Sequence, residues 1–247
     1  MPQSGSECVL ARSRSRQERY EPKSEGAEGY LALLDRFRNR GYKNRLQNPK
    51  DALWDFRLGV DTFGYFPAVG DPNTDGHWRV HYVPTPYDDL FRLLRLVDLR
   101  PDDVFVDLGS GLGRAPFVAS YMGVRRVTGV EIVPELCAKA IENHQRSRLA
   151  DRSIDFVSVD ANLFVPQGLT ALFMAHPFGP ETLRNVIRNI AAAREGEGAG
   201  RLRIVYLNPI YDFVLDQEPW LRCIARTEPS KKGFSTASRH PASIWTD

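Results

Sequence analysis

The amino-acid sequence predicts a doubly wound α/β fold, in which helices cover both faces of a mostly parallel sheet. Two observations lead to this prediction. From residue 101 onward, short apolar runs alternate with stretches of helical periodicity, a pattern typical of buried parallel strands joined by helices. A turn with three alternate glycines follows the first of these runs, at the position where open α/β sheets bind their ligands.

The predicted strands and helices can be placed in order along the chain. Strands are predicted where the runs are short and apolar, at residues 104–109, 126–132, 154–160, 170–176 and 202–207. Helices are predicted at residues 90–97, 115–122, 135–149 and 181–194. Two last strand-like runs, at 221–227 and 243–245, are joined by a polar loop without helical periodicity, which favours an antiparallel end to the sheet.

The residues before this pattern have a different character. Residues 1–28 are polar, rich in Ser, Arg and Glu, and are predicted to form a flexible arm. An amphipathic helix is predicted to begin at Tyr30, and residues 58–87 are dense in turn formers and aromatic side chains, as binding loops and lids often are. We therefore divide the chain into this arm, a lid or substrate region over residues 29–100, and a ligand-binding core over residues 101–247.

Composition excludes several classes of protein. Hydrophobic residues make up 42% and charged residues 26% of the 247 residues, as in ordinary globular chains rather than disordered ones. The net charge of +2 gives no strong field toward nucleic acid or anionic membranes, so neither is an expected partner. The three cysteines are widely spaced, which predicts no metal site and favours the reducing cytoplasm as the location. No run approaches the ~18 apolar residues of a membrane span.

The glycine turn combines an acidic residue with backbone freedom. Asp107 is followed by Gly109, Gly111 and Gly113, and glycine permits both a tight turn and the close approach of a ligand. A carboxylate two residues before the first glycine would attract an ammonium group and repel a pyrophosphate, which disfavours a nicotinamide dinucleotide. S-adenosylmethionine carries such an ammonium group and is therefore the predicted cofactor.

Two more acidic residues end the next two predicted strands. Glu131 ends the second strand, where a carboxylate can accept hydrogen bonds from both ribose hydroxyls of a nucleoside. Asp160 ends the third strand, where a carboxylate can accept from an adenine amino group or, alternatively, can cap the following helix. Acidic residues at three successive strand ends around one glycine loop indicate a nucleoside site rather than packing alone.

These residues resemble the class I S-adenosylmethionine-dependent methyltransferases over about residues 82–247. Within that class, residues 106–113 (Val-Asp-Leu-Gly-Ser-Gly-Leu-Gly), 129–131 (Gly-Val-Glu) and 178–181 (Phe-Gly-Pro-Glu) are similar to bacterial methyltransferases of unassigned substrate and to the non-SET histone lysine methyltransferases. The resemblance implies a Rossmann-like sheet of seven strands with an antiparallel final strand.

The resemblance also implies roles for individual residues. The residues that would hold the methionine portion of the cofactor are Asp107, Gly109, Ser110, Gly111 and Gly113. Those that would hold the adenosine are Glu131 at the ribose, Ile132 against the adenine, and Asp160 with Ala161 at the adenine edge. In such enzymes the segment before the first strand closes over the cofactor, so the methionine end is also expected to meet Tyr82, Thr85 and Tyr87.

The end of the fourth predicted strand is the expected place of the chemistry. There the resembled families often carry Asn or Asp, whereas this sequence has His176. Histidine can act as a general base near neutral pH and would accept a proton from a hydroxyl, carboxyl or amine group. Alternatively, His176 caps a helix or binds a loop carbonyl. We take His176 and Tyr87 as the candidate catalytic residues.

The expected function is methyl transfer from S-adenosylmethionine to an O or N nucleophile of a small molecule or peptide. Protein lysine methylation is an alternative, because of the similarity to the histone enzymes. A nucleic-acid acceptor has less support and rests on the basic face of the helix predicted from Tyr30. A non-catalytic domain that binds the cofactor and acts as a scaffold is a further alternative. The sequence does not indicate an oligomeric state.

Overall fold

A seven-stranded sheet organises the part of the chain that the structure describes. Its strands are β1 (Val104–Leu108), β2 (Arg126–Glu131), β3 (Ile154–Ser158), β4 (Ala171–Met174), β5 (Arg203–Leu207), β6 (Arg222–Thr227) and β7 (Ala242–Thr246). They lie in the order β3-β2-β1-β4-β5-β7-β6, and β7 runs antiparallel to both of its neighbours whereas the other pairs are parallel. The doubly wound class and the antiparallel final strand are thereby confirmed.

The structure is a computed structural model, and the residues it describes are 49–64, 82–195, 200–228 and 240–247. All of them belong to the larger of the chain's two compact units, which covers Phe37–Asp247. The predicted arm over residues 1–28 and the predicted helix from Tyr30 lie outside the described residues, as does much of the turn-rich segment.

The helices of the described residues are α1 (Pro49–Leu58), α2 (Tyr87–Leu96), α3 (Arg114–Tyr121), α4 (Pro134–Arg146), α5 (Pro180–Arg194) and α6 (Phe213–Asp216). The predictions of α2 to α5 are confirmed. α1 was not predicted because it buries only Asp55 and Leu58 and so has little apolar periodicity, and α6 is a single turn of four residues. None of the described helices has both the length and the apolar character that a membrane crossing requires.

Strand β1 lies at the centre of the molecule and is covered on both faces. Phe105 belongs to an apolar cluster with Leu90 of α2 and Phe117 of α3, whereas its neighbour Val106 belongs to a second cluster with Ile187 of α5. Successive side chains of a strand point to opposite faces, so the two clusters lie on opposite sides of the sheet. The parallel register of β1 with β2 and β4 then brings the carboxyl ends of all three strands to one edge.

A buried polar cluster stabilises the opposite edge, at the amino ends of the strands. Oδ1 of Asp103 accepts hydrogen bonds from the Thr170 hydroxyl at 2.7 Å and from the Arg203 guanidinium, and Oδ2 accepts from the backbone N–H of Arg100 at 2.6 Å. Arg203 also donates to two backbone carbonyls just after α2, each at 2.9 Å. We call Asp103, Thr170 and Arg203 the Asp103 cluster. It joins the segments that lead into β1, β4 and β5.

Removal of the guanidinium from this cluster should lower the stability of the fold. In the Arg203→Leu variant the buried Asp103 carboxylate loses its cationic partner, and we expect the free energy of unfolding to fall by about 3–5 kcal/mol. Urea denaturation followed by circular dichroism measures this change. The control is Arg100→Ala, because Arg100 pairs with Asp98 where both side chains are largely exposed, at 67% and 79%. This control should change the free energy by only about 0.5 kcal/mol, and equally small losses in both variants would contradict the role of the cluster.

Candidate cofactor and acceptor site

A cavity at the carboxyl ends of β1, β2 and β4 brings together most of the predicted site residues. Those in its lining are Tyr82, Thr85, Asp107, Gly109, Ser110, Glu131, Ile132, Asp160, Ala161 and His176. Gly111, Gly113 and Tyr87 are not part of the lining. Arg114, which the sequence analysis did not select, is part of it. One edge of the sheet therefore holds both the predicted nucleoside residues and the predicted acceptor residue.

The glycine loop between β1 and α3 is shaped by close contacts that exclude side chains. Gly111 has a φ of +53°, and a Cβ at this position would overlap the ring of Tyr82. Gly109 has a φ of +79°, and a Cβ there would lie 2.5 Å from Cβ of Pro177. Glycine alone adopts these angles with this spacing at little cost. The loop therefore packs directly against Pro177 and against Tyr82, the first residue of a segment, residues 82–86, that we call the strap.

Glu131, predicted to bind the ribose, also holds the glycine loop in place. Its side chain is buried at the end of β2. Oε2 accepts a hydrogen bond from the backbone N–H of Gly111 at 2.8 Å, and Oε1 accepts from the backbone N–H of Val133 at 2.9 Å. Bonds from backbone N–H groups to a carboxylate are stronger than neutral ones. The carboxylate thus joins the loop after β1 to the loop after β2, a role that the sequence did not reveal.

Asp107 is a buried carboxylate without a donor. Its residue is 4% exposed, and no N–H or O–H group of the described residues donates to it. Burial raises the pKa of the Asp107 carboxyl well above its ordinary value, and the nearby Glu131 carboxylate raises this pKa further. The hydroxyl of Ser110 is likewise buried without a partner among the described residues. Because such groups are costly to bury alone, they fit the ammonium and polar end of S-adenosylmethionine.

Asp160 lies in the turn after β3 and already has a local partner. One of its carboxylate oxygens accepts from the backbone N–H of Asn162 at 2.8 Å and from its side-chain amide at 3.0 Å. These bonds form a local turn, and the described residues between β3 and β4 form no helix, so Asp160 does not make the helix cap that the sequence left open as an alternative. Asp160 also lines the cavity beside Ile132 and Ala161. The turn occupies one carboxylate oxygen, and a contact of Asp160 with adenine stays a prediction.

His176 lies two residues beyond the end of β4, in a conformation that a strand does not allow, with a φ of +53°. Its Nδ1 lies 3.1 Å from the Tyr206 hydroxyl oxygen, and its ring centre lies 5.2 Å from that of Tyr211. Burial lowers the pKa of the imidazole below its ordinary value, so the ring is neutral near pH 7. Nε2 is not buried and has no hydrogen-bond partner in the described part of the chain. A neutral imidazole with one nitrogen available at the cavity can exchange a proton with a ligand.

Sequence reasoning missed Tyr206 because a single tyrosine within an apolar strand is typical of a core residue. Tyr206 is buried and does not line the cavity, so it acts on the site through His176. In the register of β4 with β5 it lies opposite Met174, two residues before His176. Only this register indicates that Tyr206 lies near His176, and the register cannot be read from the sequence of either strand alone.

Tyr87 does not reach the cavity, contrary to the expectation from the resemblance. α2 begins at this residue and turns its side chain into the core, where it is fully buried. Its hydroxyl donates to Oδ1 of Asp55 at 2.7 Å. Burial raises the pKa of the Tyr87 phenol, and the neighbouring Asp55 carboxylate raises it further. Because the phenol keeps its proton and lies outside the cavity, we do not retain Tyr87 as a catalytic candidate.

Sequence reasoning also missed Arg114, the first residue of α3. Its Nε donates to the Thr62 hydroxyl at 2.8 Å, and Nη1 donates to the Asp51 carboxylate and to the Thr85 carbonyl, each at 2.9 Å. The guanidinium also lies over the Tyr87 ring, 4.5 Å from its centre. We call Arg114, Asp51, Thr62 and Thr85 the Arg114 clasp. The sequence did contain one signal for Arg114. It is a cation at the start of a helix that has no acidic residue in its first turn, and the helix dipole disfavours a cation at this end.

The raised pKa of Asp107 leads to a prediction about ligand binding. An ammonium group favours the ionised carboxylate, so a ligand that carries one lowers this pKa and releases a proton when it binds. S-adenosylhomocysteine keeps the ammonium group of the cofactor. We therefore expect its affinity to fall as the pH is lowered through the raised pKa of Asp107. Calorimetric titration in two buffers of different ionisation enthalpy measures both the affinity and the proton release.

The Asp107→Asn variant separates the effect of the carboxylate charge on ligand affinity from the effect of the side chain's shape. Its side chain has nearly the same shape, so the affinity should fall and its dependence on pH should disappear. Asp155 is exposed on β3, and Asp155→Asn should behave as the wild type. A wild-type affinity that does not change with pH would contradict the assignment of Asp107.

Comparison of the sequence with known proteins finds similarity over the segment that contains β1 and β2. Residues 80–154 match the sequence model of the family described as Histone methylation protein DOT1. A curated protein-lysine N-methyltransferase of Saccharolobus islandicus (strain REY15A) is 35% identical over 76 residues, which are 30% of this chain and 47% of that protein. The chain thus spans about half the length of this curated relative.

Two methyltransferases are among the solved structures that align with the chain. An RNA methyltransferase from Salinibacter ruber in complex with S-adenosyl-L-homocysteine aligns over 66% of this chain and 93% of its own, with 25% identity and a TM-score of 0.48. Magnesium protoporphyrin IX methyltransferase (ChlM) from Synechocystis PCC 6803 with bound SAM aligns over 64% and 74%, with 15% identity and a TM-score of 0.48. Over the residues that they cover, the two sequence matches confirm the resemblance to class I S-adenosylmethionine-dependent methyltransferases.

Proposed function

We propose that the chain is an S-adenosylmethionine-dependent methyltransferase that acts on an O or N nucleophile of a small molecule or peptide. The observation that carries this proposal is Asp107, a buried carboxylate without a donor among the described residues, beside a loop that glycine alone permits. The family match and the curated relative support the same activity. The widely spaced cysteines favour the cytoplasm as its location.

The protein's part in this reaction is to hold two molecules in line and to exclude water. When bound, the cofactor supplies a methyl group on a positively charged sulfur, which is a good leaving group. Asp107 binds the ammonium group, and Glu131 accepts from the ribose hydroxyls. Tyr82 and Thr85 of the strap cover the methionine end. The wall for the adenine consists of Ile132, Asp160 and Ala161.

His176 is the acceptor-side residue in this proposal. In the tautomer in which Nδ1–H donates to the Tyr206 oxygen, Nε2 presents a lone pair to the cavity. The pKa of His176 is lowered by burial, which keeps this nitrogen unprotonated near neutral pH. Nε2 then takes the proton of a hydroxyl or amine acceptor as the nucleophile forms its bond to the methyl group.

Replacement of His176 tests this assignment. Glutamine keeps a polar side chain but cannot act as a base, so His176→Gln should lower kcat by about a hundredfold or more and leave S-adenosylhomocysteine affinity unchanged. In the wild type at saturating cofactor, kcat/KM for the acceptor should fall only below about pH 6.5, since the base is lost as the pH drops through its lowered pKa. The variant should lack this acid limb. Activity is measured as S-adenosylhomocysteine produced.

The matched control is His144→Gln. His144, like His176, has one ring nitrogen near an oxygen, here the backbone carbonyl of Leu149 at 3.1 Å, but it does not line the cavity. This variant should keep the turnover and the pH profile of the wild type. If His176→Gln retained both as well, His176 would be a structural cap.

A lysine side chain of a protein is the second candidate acceptor. The curated relative is named a protein-lysine N-methyltransferase. Phe178 in the cavity lining and Tyr211 beside His176 offer aromatic faces, which attract alkylammonium groups. Methyl transfer to a lysine-rich polypeptide, compared with the same polypeptide after acetylation of its lysines, separates the candidates. Transfer to the unmodified form alone supports lysine, whereas turnover of small hydroxyl or amine compounds alone supports the first candidate.

If no acceptor is methylated, the binding of S-adenosylhomocysteine decides between two conclusions. If S-adenosylhomocysteine binds in an Asp107-dependent manner and no acceptor is methylated, the chain is a cofactor-binding scaffold. If S-adenosylhomocysteine does not bind, the proposed function is wrong.

A further inference from the structure

The Arg114 clasp joins parts of the chain that are distant in sequence. Arg114 follows the glycine loop directly, and its side chain is 3% exposed. Asp51 lies on α1, Thr62 lies in the loop after α1, and Thr85 lies on the strap. A single guanidinium group therefore binds α1, the following loop and the strap at the start of α3.

Asp55, a second carboxylate of α1, also belongs to this group of contacts. Oδ1 of Asp55 accepts from the hydroxyls of Thr62 at 2.6 Å and Tyr87 at 2.7 Å, and Oδ2 lies 3.8 Å from Nη2 of Arg114. Burial raises the pKa of the Asp51 carboxyl, and the Arg114 charge partly offsets this rise. Two buried carboxylates thus share one guanidinium. Loss of the guanidinium would leave both without a cationic partner in the cluster.

The strap links this cluster to the cavity. Tyr82, Thr85 and the two residues between them line the cavity, and the ring of Tyr82 packs against Gly111. The Tyr82 hydroxyl donates to the carbonyl of Thr62 at 2.8 Å. No residue of α1 is part of the described lining. One contact path from α1 to the cavity therefore passes through the clasp, in which Arg114 itself lines the cavity, and through the strap.

We propose that Arg114 is a positioning residue that couples the docking of α1 to the occupation of the cofactor cavity. The clasp holds the strap against the glycine loop, so a ligand that contacts the strap meets a wall that is already ordered. Coupling between two sites is reciprocal, so the ligand in turn stabilises α1, which it does not touch. This proposal rests on the proposed function, because it takes the cofactor and its demethylated form as the ligands.

Calorimetric titration of S-adenosylhomocysteine into wild type and Arg114→Lys is the first test. Lysine keeps the charge but lacks the planar fork that reaches Asp51, Thr62 and Thr85 together. The dissociation constant is expected to rise about tenfold or more. Asp51→Asn weakens only the contact with α1 and should give a smaller rise. It also keeps the proposal testable if Arg114→Lys does not fold.

Arg203→Lys is the matched control. It weakens a buried arginine–carboxylate cluster of the same kind, with Arg203 14% exposed, at the opposite edge of the sheet. It should lower the stability as Arg114→Lys does, yet leave the dissociation constant within about twofold. Equal dissociation constants for wild type and both clasp variants would overturn the proposal, as would an equal rise in Arg203→Lys.

Hydrogen exchange of backbone amides gives a second readout, which does not depend on activity. Saturating S-adenosylhomocysteine should slow exchange in α1 of the wild type and should not do so in Arg114→Lys. Unchanged exchange in wild-type α1 would overturn the coupling even if the affinities differ. If the wild type does not bind S-adenosylhomocysteine at all, the proposed function fails and the coupling fails with it. If the wild type binds S-adenosylhomocysteine and the two clasp variants bind it with the same dissociation constant, the proposed function stands and the coupling fails.

Discussion

Close packing at the glycine loop sets the conditions for the rest of the site. The backbone of Gly109 and Gly111 passes so near to Pro177 and Tyr82 that no Cβ fits between them. The turn after β4 and the strap are therefore held against the end of β1. A larger residue in place of either glycine would push the turn after β4 or the strap away from the loop, since protein interiors are close-packed. Asp107, two residues before Gly109, is buried at the same end of β1, and its burial raises its pKa.

Two carboxylates at opposite ends of β1 have contrasting surroundings. Asp103, just before the strand, accepts from Thr170, Arg203 and a backbone N–H group. Asp107, near the other end, has no donor among the described residues. The first arrangement provides partners for a buried charge, whereas the second leaves a buried carboxyl group that costs free energy unless a ligand pairs with it. Such unsatisfied groups are typical of functional sites, and well-paired clusters elsewhere offset their cost.

The sequence predicted the features that depend on a local pattern of residues. It did not predict the features that depend on the direction in which a side chain points. β1, β4 and β5 are buried on both faces and mostly apolar, so they stand out by composition. Asp107, Glu131, Asp160 and His176 line one cavity because parallel strands end at one edge. Tyr87 was misplaced because it begins a helix, where a shift of one residue turns a side chain by about 100°. The contact of Arg114 with Asp51 spans 63 positions and has no local signature.

The contact between Gly111 and Tyr82 also has an evolutionary consequence. A side chain at position 111 has room only if the ring at position 82 is replaced by something smaller. A smaller residue at position 82 alone would leave a void above the loop and remove the hydroxyl that binds Thr62. Each single change is unfavourable, and the double change removes only the overlap, because position 111 keeps a φ of +53° that side chains rarely adopt. Along a lineage the glycine at position 111 and the ring at position 82 should therefore be retained together, although they lie on different segments of the chain.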